Sequence, residues 1–364
     1  MDIFRFSQSP SDLAAFEDTF RFAAFTCVRF AAFSAHAIIF GFIPLSLLVL
    51  RPVFSTLRGE RWARARSRVA ARCEGMIQSA LIASAVVTLV AVVLQAVLIA
   101  ESGDGSLTSD SFMGTLETTF GQWYFIRFPL LGALAVILSG RVGMSILAGA
   151  GDERPTPTKL WWGAWATLAG LLLLTSTFSG HAAVASPRFV SLVNDALHLM
   201  SGAVWFTGIV VLALVLPDAW RQSGSDTDRL QVLAPAVLRF STLAAVTITI
   251  LAITGTLNSF LHVGAFNDLI DSGYGRTLAI KIVLFLVVLA LGGVNHFIIK
   301  DRLDRALKSE EGGESARVFR KTIAAELVLA LVVMGVTGIL VGLGRTKETP
   351  VPADTGSVTS GSKS

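Results

Sequence analysis

Eight long apolar stretches, separated by short polar segments, run along the chain. A helix needs about 20 apolar residues to cross the hydrocarbon core of a bilayer, and each stretch is of roughly this length. The predicted spanning segments are residues 25–50, 77–100, 123–147, 160–180, 190–216, 236–260, 276–299 and 321–344. This pattern predicts an all-α integral membrane protein with about eight transmembrane helices. One arrangement of these helices is as two halves of four helices each.

The polar ends of the chain predict where the membrane domain begins and stops. Residues 1–20 form a polar N-terminal lead without the basic start and short apolar core of a signal peptide. Residues 21–345 are the predicted eight-helix membrane domain. Residues 346–364 are rich in Pro, Gly and Ser, a composition that is typical of a disordered C-terminal tail.

The composition supports the membrane assignment. The 364 residues are 53% hydrophobic and 15% charged, whereas a soluble domain has about 25% charged residues. The net charge of +4 gathers in particular loops, which suits anionic lipid headgroups rather than nucleic acid. The predicted partner is therefore the lipid bilayer, with no nucleic acid.

Catalytic motifs are scarce in this sequence. The two cysteines, Cys27 and Cys73, form no CxxC pair, so neither a zinc finger nor a disulfide framework is indicated. The chain has no GxSxG, HExxH, phosphate-binding loop, dinucleotide fingerprint or CxxCH motif. These absences favour a transporter over an enzyme and argue against c-type haem.

Loop charge predicts the orientation in the membrane. The loops after the first, third, fifth and seventh segments are basic, with seven arginines at residues 51–72 alone. The other loops are not, and residues 101–122 contain four carboxylates without a Lys or Arg. The positive-inside rule then places both termini outside, on the periplasmic side. Arg127 and Arg141 crowd the ends of the third segment, where we expect them to snorkel to the interface.

The five histidines are the main candidates for chemistry. With the predicted orientation, four of them, His36, His181, His198 and His262, fall in the outer half of the membrane or at its outer surface, and His296 falls at the inner side. An ionisable group inside a membrane is costly and usually marks a pathway or a site. We therefore predict a metal site, although each histidine also fits a role as a hydrogen-bonded packing residue.

Helical spacing groups polar side chains around His198. Asp195 and Asn194 lie three and four residues before it on the same face, and Trp205 lies two turns further inward on the same stripe. An Asp one turn from a His typically accepts the spare ring N–H of a metal-bound imidazole. Asp195 is therefore predicted to orient His198 or to ligate the metal itself. An Asp–His pair that neutralises itself at the interface is the alternative.

Other polar groups lie within the predicted spans. Asn258 and His262 have the same four-residue spacing in the sixth segment, and Arg29 and Lys281 are cations inside the first and seventh. Each cation either snorkels outward, pairs with Asp195 or Asp271, or lines a polar cavity. The predicted pathway or supporting residues are Trp205, Asn194, Asn258 and Lys281.

Four stretches together resemble the CopD family of bacterial copper-resistance membrane proteins. They are SGHAA at 179–183, NDALHLMSGAVWFTG at 194–208, TGTLNSFLHVG at 254–264, and YGRTLAIK at 274–281, which runs into VNHFI at 294–298. The resemblance covers about residues 175–300, and the eight-helix plan extends it to most of the chain.

The resemblance implies an inner-membrane protein for copper homeostasis or resistance, which takes up copper from the periplasm into the cytoplasm. It also implies a periplasmic CopC-like copper carrier as a separate protein. The residues that match the family's motif positions are His181, Asp195, His198 and Trp205. His36 and His262 are predicted as metal ligands mainly from their position in the predicted topology. Copper is the implied metal.

Two alternatives accompany copper transport. The fold implied by the resemblance is related to the four-helix cytochromes b, and two imidazoles on facing helices are enough to hold b-type haem. His36, His198 and His262 are the available ligands for such a membrane electron carrier. The other alternative is a sensor or assembly factor that binds copper and moves none.

Overall fold

All the regular structure in the described part of the chain is helical. The computed structural model describes residues 10–57, 59–101, 106–139, 147, 157–179, 187–215, 226–262, 268–294 and 313–343. Among these residues, eight helices are long and apolar enough to cross a membrane, which confirms the predicted fold class. Residues 1–9 of the predicted lead and the whole predicted tail lie outside the described residues.

Eleven α-helices are described, and we number them in chain order. The long ones alternate with short ones that lie in the connections. They are α1 (Pro10–Leu45), α2 (Arg51–Thr56), α3 (Glu60–Glu101), α4 (Ser109–Glu117), α5 (Thr119–Ser139), α6 (Lys159–Phe178), α7 (Arg188–Val210), α8 (Asp226–His262), α9 (Asp268–Asp271), α10 (Gly273–Val294) and α11 (Gly313–Gly342).

The helices extend beyond the apolar segments that predict them. The first begins at Pro10 rather than at residue 25, and α3 begins at Glu60, well before residue 77. The arginine-rich segment after the first span is therefore largely helical rather than a loop. Arg and Ala have high helix propensity, so a polar continuation of a spanning helix remains helical outside the lipid. Hydropathy marks only the part of each helix that crosses the bilayer.

Helices α1 and α7 form the centre of the bundle. They are the most buried of the eight candidate spans, and they pack on each other. A Cβ at Gly41 of α1 would overlap the carbonyl oxygen of Ala203 in α7, so the two backbones are in direct contact there. The Thr207 hydroxyl of α7 donates to the carbonyl oxygen of Ala37, 2.8 Å away. Helix α1 belongs to the first four spans and α7 to the last four, so this contact joins the two predicted halves.

The remaining spans pack around this central pair. Helices α3 and α6 contact α1 on one side, and α5 packs on α3 and α6. On the other side α8 packs on α7, α11 contacts both central helices, and α10 packs on α11. Polar side chains on α5 and α6, and those on α7 and α8, therefore lie in different parts of the bundle.

Arg127 departs from its predicted position. We expected its guanidinium to snorkel to the membrane interface, but its side chain is buried inside the bundle, with 1% exposure. Its helix α5 packs on α3 and α6, and its Nε donates to the Thr175 hydroxyl of α6. The prediction was wrong because snorkelling requires an open route along the helix surface, and packing removes that route here.

Candidate functional site

A polar cluster lies where the predicted outer part of α7 faces α8. The Asn194 side-chain amide donates to the Thr254 carbonyl oxygen at 2.9 Å and to the Asn258 side-chain oxygen at 2.8 Å. Helical spacing explains this match, because residues four apart on each helix present their side chains on one face. We call this group the α7–α8 cluster, and its members are Asn194, Asp195, His198, Thr254, Asn258 and, from α10, Lys281.

His198 is held by one ring nitrogen. Its Nδ1 lies 2.9 Å from the hydroxyl oxygen of Thr254. That hydroxyl donates its own proton to the carbonyl oxygen of Ile250, at 2.6 Å. A hydroxyl has a single proton, so the bond to His198 requires the ring to donate from Nδ1. This assignment of the tautomer leaves Nε2 with its lone pair.

The ring of His198 lies directly against the backbone of α8. A Cβ at Gly255 would lie 3.3 Å from Cε1 of the ring, closer than an ordinary van der Waals contact. Gly255 therefore allows the close approach, and Thr254 beside it supplies the hydrogen-bond acceptor. The backbone geometry of α8 thus fixes both the position of the imidazole and its tautomer.

Asp195 takes part in the charge balance of this cluster. Its carboxylate acts electrostatically on the Lys281 ammonium, which in turn acts on His198. All three side chains are half-buried. The contact observed at Nδ1 of His198 is with Thr254, and the predicted orienting role of Asp195 stays a prediction. The pairing of Lys281 with Asp195 stays a prediction.

A second polar cluster surrounds His36, on the other side of the central pair. Its Nε2 lies 2.9 Å from the Ser84 hydroxyl, and its Nδ1 lies 3.4 Å from the Ser176 hydroxyl. The side chain is 1% exposed. Both ring nitrogens are thus occupied by serines of α3 and α6, a different set of helices from those that bond His198. We call this group the α5–α6 cluster, and its members are His36, Ser84, Tyr124, Arg127, Thr175 and Ser176.

The remaining predicted site residues have different placements. Trp205 is buried in the main hydrophobic core, where it supports α7. His262 is the last residue of α8, one turn beyond Asn258, and its side chain is not described. His181 and His296 lie outside the described residues. Within the described ranges, no three His, Cys, Asp or Glu side chains come together as a ready metal shell.

Some of these contacts have a signal in the sequence and others have none. The four-residue spacing of Thr254 and Asn258 matches that of Asn194 and His198, so this pairing was within reach of sequence reasoning. Ser84 and Ser176 carry no such signal, because they are 48 and 140 residues away from His36. Serines are also common in membrane helices, where they mark no particular partner.

Eight spans that enclose polar clusters define a multi-pass membrane protein with an internal polar site. Two family models match the chain: "Copper resistance protein D" over residues 234–340 and "Copper resistance protein D-like, N-terminal domain" over residues 18–186. The chain belongs to the copper resistance protein D family. The first model covers Thr254, Asn258 and Lys281, whereas His198 lies between the two matched regions.

Two curated relatives support this assignment. Copper resistance protein D of Pseudomonas syringae pv. tomato is 27% identical over 315 residues, which is 85% of this chain and 92% of the relative. The "Copper transport protein CutJ" of Bacillus subtilis (strain 168) is 32% identical over 199 residues, which is 53% of this chain. The match spans 34% of that relative's length. No solved structure matches the chain significantly.

Proposed function

We propose that this protein handles copper within the membrane and transports it, with the α7–α8 cluster as the binding site. Membership of the copper resistance protein D family supports a copper-handling role. The printed name of the Bacillus relative, a copper transport protein, supports movement of the metal. Neither comparison identifies the site, so its assignment rests on the geometry around His198.

The observation that carries the site is the state of the His198 ring. Thr254 holds Nδ1 as a donor, and this leaves Nε2 available as a ligand. An imidazole suits copper in proteins. A hydrogen bond to the other ring nitrogen fixes the ring orientation and raises the basicity of the ligand. His198 is therefore preorganised to bind a metal before the metal arrives.

Asp195 is the proposed second ligand. Its interaction with Lys281 keeps the charges of the cluster balanced when no metal is bound. An arriving copper ion competes with the Lys281 ammonium for this carboxylate. Copper would thus take the place of the Lys281 ammonium beside the Asp195 carboxylate.

Two further histidines complete the proposed ligand set. His262 ends α8 one turn past Asn258, on the helix that already holds His198. His181 belongs to the segment that immediately precedes α7. Asn194 and Asn258 bond to each other across α7 and α8, and we propose that they line the pathway. His36 is proposed to have a separate role, because serines occupy both of its ring nitrogens.

The proposed orientation indicates from which side copper would reach the site. By the positive-inside rule, the basic loops favour a periplasmic position for the start of α7. His198 is ten residues past Arg188, or ~15 Å along the helix at 1.5 Å per residue. Copper delivered by a separate periplasmic carrier of the CopC type would reach it from outside. We therefore propose uptake from the periplasm to the cytoplasm. No observation favours the haem alternative, and its candidate ligand His36 is already hydrogen-bonded at both nitrogens.

Copper binding and uptake by the purified full chain test this proposal. Affinity is measured by competition with a copper chelator, and uptake is measured in proteoliposomes with radioactive copper. We expect His198→Ala to weaken copper binding 10-fold or more and to slow uptake. The matched control is His36→Ala, for which we expect a change in affinity of less than about 3-fold, because His36 is already bonded to two serines.

Two results would count against parts of this proposal. Unchanged copper affinity in a correctly folded His198→Ala variant would refute the site. Tight binding by the wild type without any uptake would refute transport and would identify a sensor or assembly factor instead. Size-exclusion chromatography in detergent establishes that each variant is folded before its affinity is compared.

A further inference from the structure

Arg127 is a buried cation with an unused hydrogen-bond donor. Its Nε donates to the Thr175 hydroxyl at 2.8 Å, and its guanidinium carbon lies 3.7 Å from the centre of the Tyr124 ring. Its Nη1 is buried and has no hydrogen-bond partner. One edge of the guanidinium is therefore fixed by neighbours, while Nη1 points at none.

The charge of Arg127 is also unbalanced. The side chains that interact with it are Tyr124, Thr175 and, electrostatically, His36. None of these is a carboxylate, and no carboxylate of the described residues bonds to it. Stacking on an aromatic ring offsets about 2 kcal/mol for a desolvated cation. The penalty for burying an ion is several kcal/mol, so a cation without an anionic partner remains strongly unfavourable.

Arg127 lies nearer to one end of α5 than to the other. Trp123 of α5 stacks on Phe178 of α6, with ring centres 4.7 Å apart, so the start of α5 and the end of α6 lie at the same side. Arg127 is eight residues past Thr119, or ~12 Å from that end. In the proposed orientation this is the periplasmic end. An anion at Arg127 would therefore lie about two helical turns from that end.

We propose that Arg127 binds a small monovalent inorganic anion, such as chloride, inside the bundle. The anion would accept the Nη1 hydrogen bond and neutralise the buried charge. The contacts of Thr175 and Tyr124 hold the guanidinium in place before the anion binds. One positive charge calls for one negative charge, which favours a monovalent ion. The site belongs to the α5–α6 cluster and is independent of the proposed copper ligands on α7.

Anion-dependent stability of the full chain tests this site. The purified protein is melted in detergent in sodium chloride and in sodium gluconate at equal ionic strength. Gluconate is too large to replace chloride at a buried donor. We expect a saturable rise in Tm of about 2–4 °C with chloride, because a ligand that binds only the folded state stabilises it. Equilibrium dialysis with radioactive chloride should show about one saturable ion per chain.

Variants assign the effect to Arg127. Arg127→Met should remove both the chloride-dependent rise and the bound ion. The matched control is Arg29→Met, since Arg29 is also an intramembrane arginine near an aromatic ring, 5.7 Å from the centre of Phe25, but is only half-buried. This control should retain the full chloride effect. If Arg127→Met does not fold, Arg127→Lys keeps the charge and should shift the titration to about 10-fold higher chloride.

Three results would overturn this proposal. They are a wild type that melts at the same temperature in both salts, a wild type that retains no chloride in dialysis, and an Arg127→Met variant that keeps the chloride-dependent rise. None of these results depends on copper. The anion site and the proposed copper site therefore stand or fall separately.

Discussion

The two polar clusters flank the same central helix pair and use the same kind of side chain, yet their hydrogen bonds and charges are arranged differently. In the α7–α8 cluster, Thr254 holds one nitrogen of His198, and Lys281 has Asp195 as an electrostatic partner. In the α5–α6 cluster, serines occupy both nitrogens of His36, and the cation Arg127 has no carboxylate partner among the described residues. The first arrangement suits a metal cation and the second suits an anion.

This difference shows that a histidine inside a membrane is not by itself evidence for a metal site. His36 and His198 are each a single imidazole within an apolar segment, and both were predicted to bind the metal. What separates them is the bonding of the second ring nitrogen. The charge nearby adds to the distinction, because Arg127 acts electrostatically on His36 and would oppose a metal cation there. The partners decide the function, rather than the residue type.

The largest effect is expected at the contact between α1 and α7, the central helices that the two clusters flank. Gly41→Val places a branched side chain against the Ala203 carbonyl oxygen and the Thr207 hydroxyl. Backbone atoms cannot move aside, so α1 and α7 would separate and both clusters would lose their support. We expect no folded protein in the membrane fraction by size-exclusion chromatography. The control Gly163→Val has open space at its Cβ position and should fold. Normal folding of Gly41→Val would show that the clusters do not depend on this contact.

The next largest effect concerns charge balance. Lys281→Met removes a cation that acts electrostatically on Asp195, and breaking a buried pair typically costs about 3–5 kcal/mol. Because both side chains are half-buried, we expect about 2 kcal/mol, read as a fall in Tm. The double variant Lys281→Met with Asp195→Asn should recover most of the loss.

Arg127→Met provides the comparison for this prediction. It removes an unpaired charge rather than one half of a pair, so in gluconate its Tm should fall much less than that of Lys281→Met. A loss as large as that of Lys281→Met would mean that Arg127 has an anionic partner within the protein. The contrast between a balanced and an unbalanced cluster would then be wrong.

The smallest effect is expected from the hydroxyl groups that hold the two imidazoles. Thr254→Val removes the acceptor for Nδ1 of His198, and loss of such an orienting contact weakens metal binding by 10–100-fold. We expect the lower end, about 10-fold or 1.4 kcal/mol, measured by chelator competition. Ser84→Ala makes the equivalent change at His36 and should alter copper affinity by less than about 2-fold. Equal losses in the two variants would contradict the separation of the clusters.

Sequence reasoning predicted those parts of the site in which polar residues are three or four positions apart on the same helix. Asp195 and His198 lie one turn apart, as do Asn258 and His262, and in the structure Asn194 bonds to Asn258 across the two helices. The role of Thr254 was not predicted, because a threonine in a membrane helix usually bonds to its own backbone. Thr254 does so here, and that bond is the reason why its oxygen accepts from His198.

The sequence alone determined the eight spans, because burial in lipid is a property of each segment's own composition and length. It also determined which residues are polar within those spans. Only the tertiary structure decided which polar groups meet. Arg127 lies inside the bundle rather than at the interface, and His36 is bonded by serines 48 and 140 residues away. The physical reason is that rotation and contact between helices depend on close packing, as at Gly41 and Ala203, and a hydropathy pattern carries no information about it.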